Sequence, residues 1–386
     1  MHLRWIACGT FASLAAHAAG AQSRSLTPRQ THQVDSVVTA YMARSHAPGV
    51  SVAVSVGDQI AYAQGYGLAD IEHRVRVSPA TKFQGASTLK TITATAVLQL
   101  VAAHRPDLDA PIQHYCREYP VKQWPITARQ LLGHQGGVRP SRGADVFNRT
   151  HYATVNDVIR NLAADSLVAE PGTRVVYTNE GFGLLACAIE GASGKSYAAY
   201  LRDALLTPAG MTGTVEDEFY ALVSDRSRSY IVRTEANTKQ WQGLWTPAHL
   251  ASTKLNVPAM ADPVDESWEP GAGNYLTTPS DLVRFAVALQ SGKLLGDSLR
   301  ALEFANQPLR DGTPSGRGWG WLLGSIDGTA APRVIGSNWT GSSAVMMVPA
   351  WNVVVALSSN LEFEQPGDVV AALARIAAAK APAGPR

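Results

Sequence analysis

Apolar and polar positions follow two different periods along this chain. Thr27-Pro28 leads into Val34, Val37, Val38, Tyr41 and Met42, a helical spacing with Thr27 as N-cap and Pro28 in the first turn, and the pattern stops near His46, before Pro48-Gly49. Val50 to Val56 and Gln59 to Tyr66 are β-rich and joined by Gly57-Asp58, which predicts an antiparallel hairpin. From Ser87 to about Ala209 helical periods take over, in Thr88 to Ala103, Thr127 to Leu132, Val155 to Ala163, Gly181 to Ile189 and Tyr197 to Leu206. Pro279-Ser280-Asp281 opens a helix carrying Leu282, Phe285 and Leu289. Strands return in Gly318 to Ser325, Ser342 to Val348 and Val353 to Ser358, and a helix over Asp368 to Ala379 follows. Strands at both ends around a helical middle predict an α/β fold: one antiparallel sheet assembled from both ends of the chain, covered by the first and last helices, with an all-helical part inserted. The expected boundaries are 22–86 and 280–386 for the α/β part and 87–279 for the mainly helical part. The tail Lys380 to Arg386 is expected to fray.

Residues 1–21 stand apart from this pattern. A basic start (His2, Arg4), an apolar stretch from about Trp5 to Ala16 and Ala19-Gly20-Ala21 before Gln22 have the layout of a cleavable signal peptide, which makes the mature protein secreted or periplasmic, with cleavage after Ala21. Cys8 lies inside the apolar stretch rather than after it, which argues against a lipid anchor. Cys116 and Cys187 remain, and an oxidising compartment would allow them to pair. Cys187, however, sits in the apolar run Gly183 to Ile189, where a buried free thiol is the commoner state, so unpaired thiols are expected.

Charge and composition remove further classes. With 33 Lys+Arg against 31 Asp+Glu, a formal charge of +2, and basic residues scattered along the chain, there is no footprint for nucleic acid. No apolar run of about 18 residues follows the N-terminus to span a membrane. G-x-S-x-G, H-E-x-x-H and a helix-opening G-x-G-x-x-G are absent, and the 10 His have no metal-ligand spacing, so neither metal nor cofactor is expected. Gly191-Ala192-Ser193-Gly194-Lys195-Ser196 imitates a phosphate loop but follows a helix, and reads as a helix C-terminal turn.

One arrangement carries chemistry: Ser87-Thr88-Leu89-Lys90, and far downstream Tyr177-Thr178-Asn179. Lys90 is the only Lys with Ser three positions earlier, and Tyr177 the only one of 12 Tyr with Asn two positions later. At i and i+3 of a helix start, Ser87 and Lys90 share a face, and the Ser87 N–H stays free for a developing oxyanion. A serine hydroxyl needs a neighbouring base, and either Lys90 or Tyr177 can serve. Singly, Ser87 reads as a helix cap and Tyr177 as a core aromatic; together in this order they read as a nucleophilic site.

With these motifs the chain resembles the serine β-lactamase and penicillin-binding-protein type hydrolases, in the class C-related group that includes mitochondrial serine β-lactamase-like proteins. The likeness extends through Phe83 to Thr93, Leu108 to Tyr115, Thr127 to Val138, Pro171 to Glu190, Pro208 to Met211, Gly271 to Phe285 and Gly318 to Trp321. It implies an α/β sandwich with a helical domain and the active site between them. It further implies Ser87 as acylated nucleophile, Lys90 as its proton partner, Tyr177 as general base and acid, and Asn179 as a donor to the substrate's acyl side chain. The third motif of the family, Lys-Thr-Gly or His-x-Gly on a strand beside the nucleophile, corresponds to Trp339-Thr340-Gly341, with the Ser342 N–H as second oxyanion donor. His134-Gln135-Gly136 has suitable letters but lies between the first two motifs. A Trp where the family has a cation weakens the hold on a substrate carboxylate unless Arg317 or Arg333 supplies the charge, a contact worth roughly 1.5–3 kcal/mol. The expected function is hydrolysis of amide bonds in short peptides or cell-wall-type substrates. The alternatives are a carboxylesterase, which Trp339 favours, a β-lactamase, which it disfavours, and a non-catalytic peptide-binding or self-associating scaffold. The oligomeric state is left open.

Overall fold

The computed structural model describes residues 25–103, 105, 107–141, 150–240 and 247–379; residues 1–21, expected from the sequence to be a signal peptide, and the tail 380–386 lie outside them. Helix α1, Pro28–Ser45, begins at a capping box: the Thr27 hydroxyl accepts from the Gln30 N–H, and the Gln30 side chain accepts from the Thr27 N–H. Gln30 Nε2 also donates to Ile376 O at 2.8 Å, tying α1 to the last helix, α7 (Gly367–Ala378). Between them in sequence run strands β1 (Gly49–Val56), β2 (Gln59–Asp70) and β3 (Val75–Arg76), and near the end β7 (Arg333–Asn338), β8 (Gly341–Val348) and β9 (Val353–Ser359). These six form one antiparallel sheet in the order β7-β8-β9-β1-β2-β3, with Val50 opposite Ser359, so the two ends of the chain do share a sheet.

Alternation along the strands gives the sheet two apolar faces. Val50, Val52, Val54, Val355 and Leu357 pack with Val34, Val38 and Tyr41 of α1 and Val370 and Leu373 of α7. Ala53, Val345, Met347, Val354 and Ala356 point the other way, into a cluster with Leu282, Val283, Phe285 and Leu289 of helix α6 (Pro279–Gln290). The intervening part contains α2 (Leu89–Ala102), α3 (Ala128–Leu132), α4 (Val155–Leu162) and α5 (Asn179–Ser193), together with β4 (Phe83–Gln84), β5 (Val215–Glu216) and β6 (Tyr275–Thr277), which form a small sheet in the order β4-β6-β5. Helix α5 ends at Gly194 in a left-handed C-cap, φ 72°, which is what becomes of the phosphate-loop imitation. Among the described residues no helix is long and apolar enough to cross a membrane.

Two sequence expectations are corrected. Gly318 to Gly324 is irregular rather than a strand: Leu322 makes single bridges to Arg317 and Arg333, and only a two-residue strand, Ser325–Ile326, begins at the end of the expected segment. Gly320 takes φ 77° and passes so close to α2 that a Cβ would lie 2.8 Å from Lys90 O, which seats Trp319 and Trp321 in the core. The second correction is Cys116 and Cys187, which form a disulfide. Gly191, one turn after Cys187 on the same face of α5, leaves room for the Tyr115 carbonyl, which a Cβ would strike at 1.8 Å, so the Cys116 loop closes onto the helix. Closing 71 residues of separation restricts the unfolded chain by about 4 kcal/mol. Replacing both cysteines with alanine should lower the urea midpoint accordingly and make the protein insensitive to dithiothreitol; an unmoved midpoint would mean that the bridge adds no stability.

Glu303 is fully buried beneath α2, its Oε1 accepting from Thr95 Oγ1 (3.0 Å) and Trp321 Nε1 (3.1 Å), while Oε2 has no partner among the described residues. Burial pushes this carboxyl up to about 8, against those two hydrogen bonds. Below pH 4.5 folded and unfolded chains both keep the proton; from there to about 8 only the folded chain does, so stability falls as pH rises through that window. Glu303→Gln should flatten this decline in a series of urea titrations between pH 5 and 9, and an unchanged slope would exclude Glu303 as its source.

Candidate active site

Ser87 sits in a single 3-10 turn, Ala86–Thr88, that runs directly into α2. Ala86 is held at φ 45°, unusual for a residue with a Cβ, and Thr88 closes the turn with both its N–H (3.2 Å) and its hydroxyl (2.6 Å) on Gly85 O. This strained corner leaves the Ser87 N–H without an acceptor among the described residues and presents the hydroxyl to two partners. Lys90 Nζ donates to Ser87 Oγ at 2.8 Å, and Tyr177 OH lies 2.6 Å from the same oxygen. Lys90 is 2% exposed and spends its other donors on Asn179 Oδ1 (2.7 Å) and Ala272 O (3.2 Å). Four residues separated by 90 positions thus meet in one hydrogen-bonded group.

Tyr177 enters from the loop before α5 and is fixed from below by His134. The two rings are 4.4 Å apart, the Val176 N–H donates to His134 O (2.7 Å), and the Thr178 N–H donates to His134 Nδ1 (3.4 Å). Burial, with the Lys90 and Arg317 charges, holds His134 well below the usual imidazole range, so the ring is neutral and able to accept. The Thr178 hydroxyl donates to Glu180 (2.6 Å), and Arg139 pairs with Asp165 (2.6 Å) and approaches Glu180 (3.8 Å) behind it. On the open side the Arg317 guanidinium lies 5.5 Å from the Tyr177 ring centre, and its side chain has no anionic partner among the described residues. Arg333 starts β7, away from this point, with its guanidinium against Gly324. Asn179 has both ends of its amide engaged: Oδ1 by Lys90, and Nδ2 by Glu269 Oε2 at 2.9 Å.

The third segment is placed differently from the sequence expectation. Trp339 and Thr340 form the turn between β7 and β8, with the Trp339 ring edge-on to Phe363 (4.5 Å) and packed against Val264 and Trp268. The Thr340 hydroxyl donates to Glu266 (3.0 Å), and Gly341 closes the hairpin opposite Asn338. Ser342 is fully buried on β8, and β7 stands between it and the free edge of the sheet, so its N–H does not face Ser87. The residue against the nucleophile is Gly336 on β7: a Cβ there would lie 2.6 Å from Ser87 N. Arg333 exchanges hydrogen bonds with Leu322 on the side of β7 away from β8, while Pro332 O accepts from Met347 of β8. By the alternation of an antiparallel ladder, the N–H of Ser337 points to the same free edge as that of Arg333. In this register Val334-Ile335-Gly336 occupies the strand beside Ser87, and Val334 also lacks a cation. The sequence reading missed Gly336 and Ser337 because it found no strand there; Val334-Ile335 after Pro332 was the available signal.

A serine at a helix start, bonded to a lysine one turn on and to a tyrosine from a second segment, beside the edge of an antiparallel sheet, is a site of the serine-hydrolase type, with the groups a nucleophilic serine needs around it. The chain belongs to the β-lactamase family, whose model matches residues 34–380. It is 25% identical over 261 residues to protein flp of Staphylococcus aureus (strain COL), covering 67% of this chain and 48% of that one. It is also 25% identical over 319 residues to the human mitochondrial serine β-lactamase-like protein LACTB, covering 65% and 54%. The chain therefore spans about half the length of these curated relatives. Among solved structures, D-amino acid amidase from Ochrobactrum anthropi SV3, in complex with D-phenylalanine, matches with a TM-score of 0.77 at 21% identity, over 90% of this chain and 98% of that one.

Proposed function

We propose that the protein is an extracytoplasmic serine amidase or peptidase that cleaves short peptides through an acyl-enzyme on Ser87. The observation that carries this is the Ser87 hydroxyl held between Lys90 Nζ and Tyr177 OH at 2.8 and 2.6 Å. As Oγ attacks the carbonyl carbon, its proton passes to the Lys90–Tyr177 pair and then to the leaving nitrogen; water repeats the sequence to release the acid. The oxyanion forms between the N–H groups of Ser87 and Ser337. Arg317 offers the charge that the strand lacks, so a substrate with a free carboxylate beside the scissile amide finds its partner there. The disulfide between Cys116 and Cys187 supports an oxidising compartment.

Carboxylesterase activity is the second reading. It is favoured by the apolar cluster of Val264, Trp268, Tyr152 and Trp339 at the end of β7 and by the missing strand cation. The test is to label the protein with a fluorophosphonate, to locate the adduct by mass, and to compare peptides ending in D-Ala-D-Ala, amino-acid amides, nitrophenyl esters and a fluorescent penicillin. Amide turnover with an adduct on Ser87 is expected. Arg317→Gln should raise KM for carboxylate-bearing peptides about tenfold or more and leave esters unchanged. Ester turnover alone would favour the second reading, and no adduct at all would favour a scaffold.

A further inference from the structure

Behind the nucleophile, on the side away from solvent, lie two carboxyl groups that the scheme above does not use. Glu266 is 1% exposed and Glu269 5%, both on the segment before β6. Glu269 Oε2 accepts from Asn179 Nδ2 at 2.9 Å, and Asn179 Oδ1 accepts from Lys90 Nζ at 2.7 Å, so one amide separates this acid from the lysine of the site. Glu266 Oε1 accepts from Asn338 Nδ2 and Thr340 Oγ1, both at 3.0 Å, at the end of the strand that flanks Ser87. Glu266 Oε2 and Glu269 Oε1 are both buried with no hydrogen-bond partner among the described residues, and the two carboxyl groups are near enough for each to act on the other's charge. Two carboxylates buried this close together, each with one oxygen that no donor reaches, cannot both carry charge, so one proton stays with the pair. The backbone makes room for it: a Cβ on Gly273 would lie 2.2 Å from Glu269 Oε1.

We propose that Glu266 and Glu269 hold one proton between them and act through Asn179 as the counter-charge of Lys90, so that Lys90 serves as donor to Ser87 and Tyr177 takes the nucleophile's proton. The pair are positioning residues, and the proposal rests on the hydrolase reading above. In the acylation step Tyr177 enters as the phenolate beside the Lys90 cation; the C–Oγ bond forms as the Ser87 proton moves to Tyr177 Oη, the C–N bond then breaks as that proton moves to the leaving nitrogen and restores the phenolate, and the proton of the acid pair stays where it is.

The charges around the pair agree with a net single negative charge. Lys90 faces it from α2 and Glu180 from α5. Asp217, beyond β5, faces Glu266 but is itself paired with Arg226 at 2.8 Å and accepts from Gln84 Nε2 at 2.9 Å. From the β7–β8 turn come only the neutral donors Asn338 and Thr340. Burial, followed by repulsion from Glu269 and Asp217, pushes Glu266 well above the usual carboxyl range. Burial pushes Glu269 up to about 7, with Lys90 drawing it back down.

The rate of Ser87 labelling by a fluorophosphonate, measured from pH 5 to 10 on the whole protein, tests this. Glu266→Gln supplies an amide donor where the shared proton was and keeps one carboxylate, so labelling should stay within about threefold of wild type with unmoved pH limbs. Glu269→Gln removes the charge facing Asn179; labelling near neutrality should fall about tenfold and the high-pH limb should move down by about one unit. A low-pH limb that moves down instead would make Lys90 the base, and unmoved limbs would reduce the pair to packing; either overturns the proposal. Infrared difference spectra of wild type against Glu266→Gln at neutral pH should show a lost protonated-carboxyl band whether or not Glu269→Gln folds, and its absence also overturns the proposal. Failure of the wild type to label would instead count against the hydrolase reading, and the infrared result would still decide the shared proton.

Discussion

Ser87→Ala will abolish covalent labelling and lower amide turnover by about 10⁴-fold or more, while leaving the protein at least as stable as wild type. The first part follows from the geometry at one oxygen. Ser87 Oγ is the atom on which both Lys90 Nζ and Tyr177 OH converge, so removing it leaves a proton acceptor with no nucleophile to serve. Residues that act as such a unit give strongly non-additive losses, and the double variant Ser87→Ala/Tyr177→Phe should therefore be little worse than Ser87→Ala alone. Lys90→Met and Tyr177→Phe alone should each leave a slow, measurable labelling of Ser87, because the hydroxyl and its N–H remain. The stability expectation has a separate cause. Ala86 at φ 45° and a serine crowded by two polar partners are a local cost accepted for the site, and truncation to alanine relieves part of it. Adduct mass and thermal unfolding on the same samples give both readouts. Labelling that persists in Ser87→Ala would move the nucleophile elsewhere.

What could be read from the sequence was local. The capping box at Thr27 and Gln30, the Gly57-Asp58 hairpin and the Ser87–Lys90 spacing each depend on residues within one or two turns of one another, where period and turn chemistry decide the structure. Tyr177 was legible for a different reason: its Asn179 companion is unique in the chain. Contacts between distant segments were not legible. Gly336 matters because of backbone atoms at Gly85, Ser87 and Thr88, and an isolated glycine in a six-residue edge strand reads as a break in the pattern. Letter matching then selected Trp339-Thr340-Gly341, which the fold places in the hairpin turn. Glu266 and Glu269 carry no sequence mark of burial, since acids directly before the Pro270-Gly271 pair look like a solvated loop. The disulfide was hidden because Gly191, the residue that lets Cys116 approach, signals only that a helix is near its end.

Gly336→Ala should cost about 10²- to 10³-fold in Ser87 labelling while the protein remains folded. The backbone at Gly336 is ordinary, absent from the positive-φ residues, so alanine meets no conformational penalty of its own. The obstacle is contact: the added Cβ would lie 2.6 Å from Ser87 N, 2.8 Å from Gly85 O and 2.9 Å from Thr88 N. All three are backbone atoms of the strained turn that presents the nucleophile, and none is the end of a side chain that could swing aside. Either β7 lifts from the turn or the turn rotates. In both cases the two N–H groups proposed to hold the oxyanion, of Ser87 and Ser337, move relative to each other, and misplacing an oxyanion donor is worth about 3–4 kcal/mol of transition-state stabilisation. Because β7 is an edge strand and its pairing with β8 lies on the other side, the sheet survives the shift. Gly341→Ala separates this account from the alternative register. Its Cβ would press on Ser359 O at 2.9 Å with φ at 157°, so it should lower the melting temperature yet label at nearly the wild-type rate well below that temperature. If Gly341→Ala silences labelling and Gly336→Ala does not, the strand beside the nucleophile is the one beginning at Trp339, and the oxyanion donor returns to Ser342.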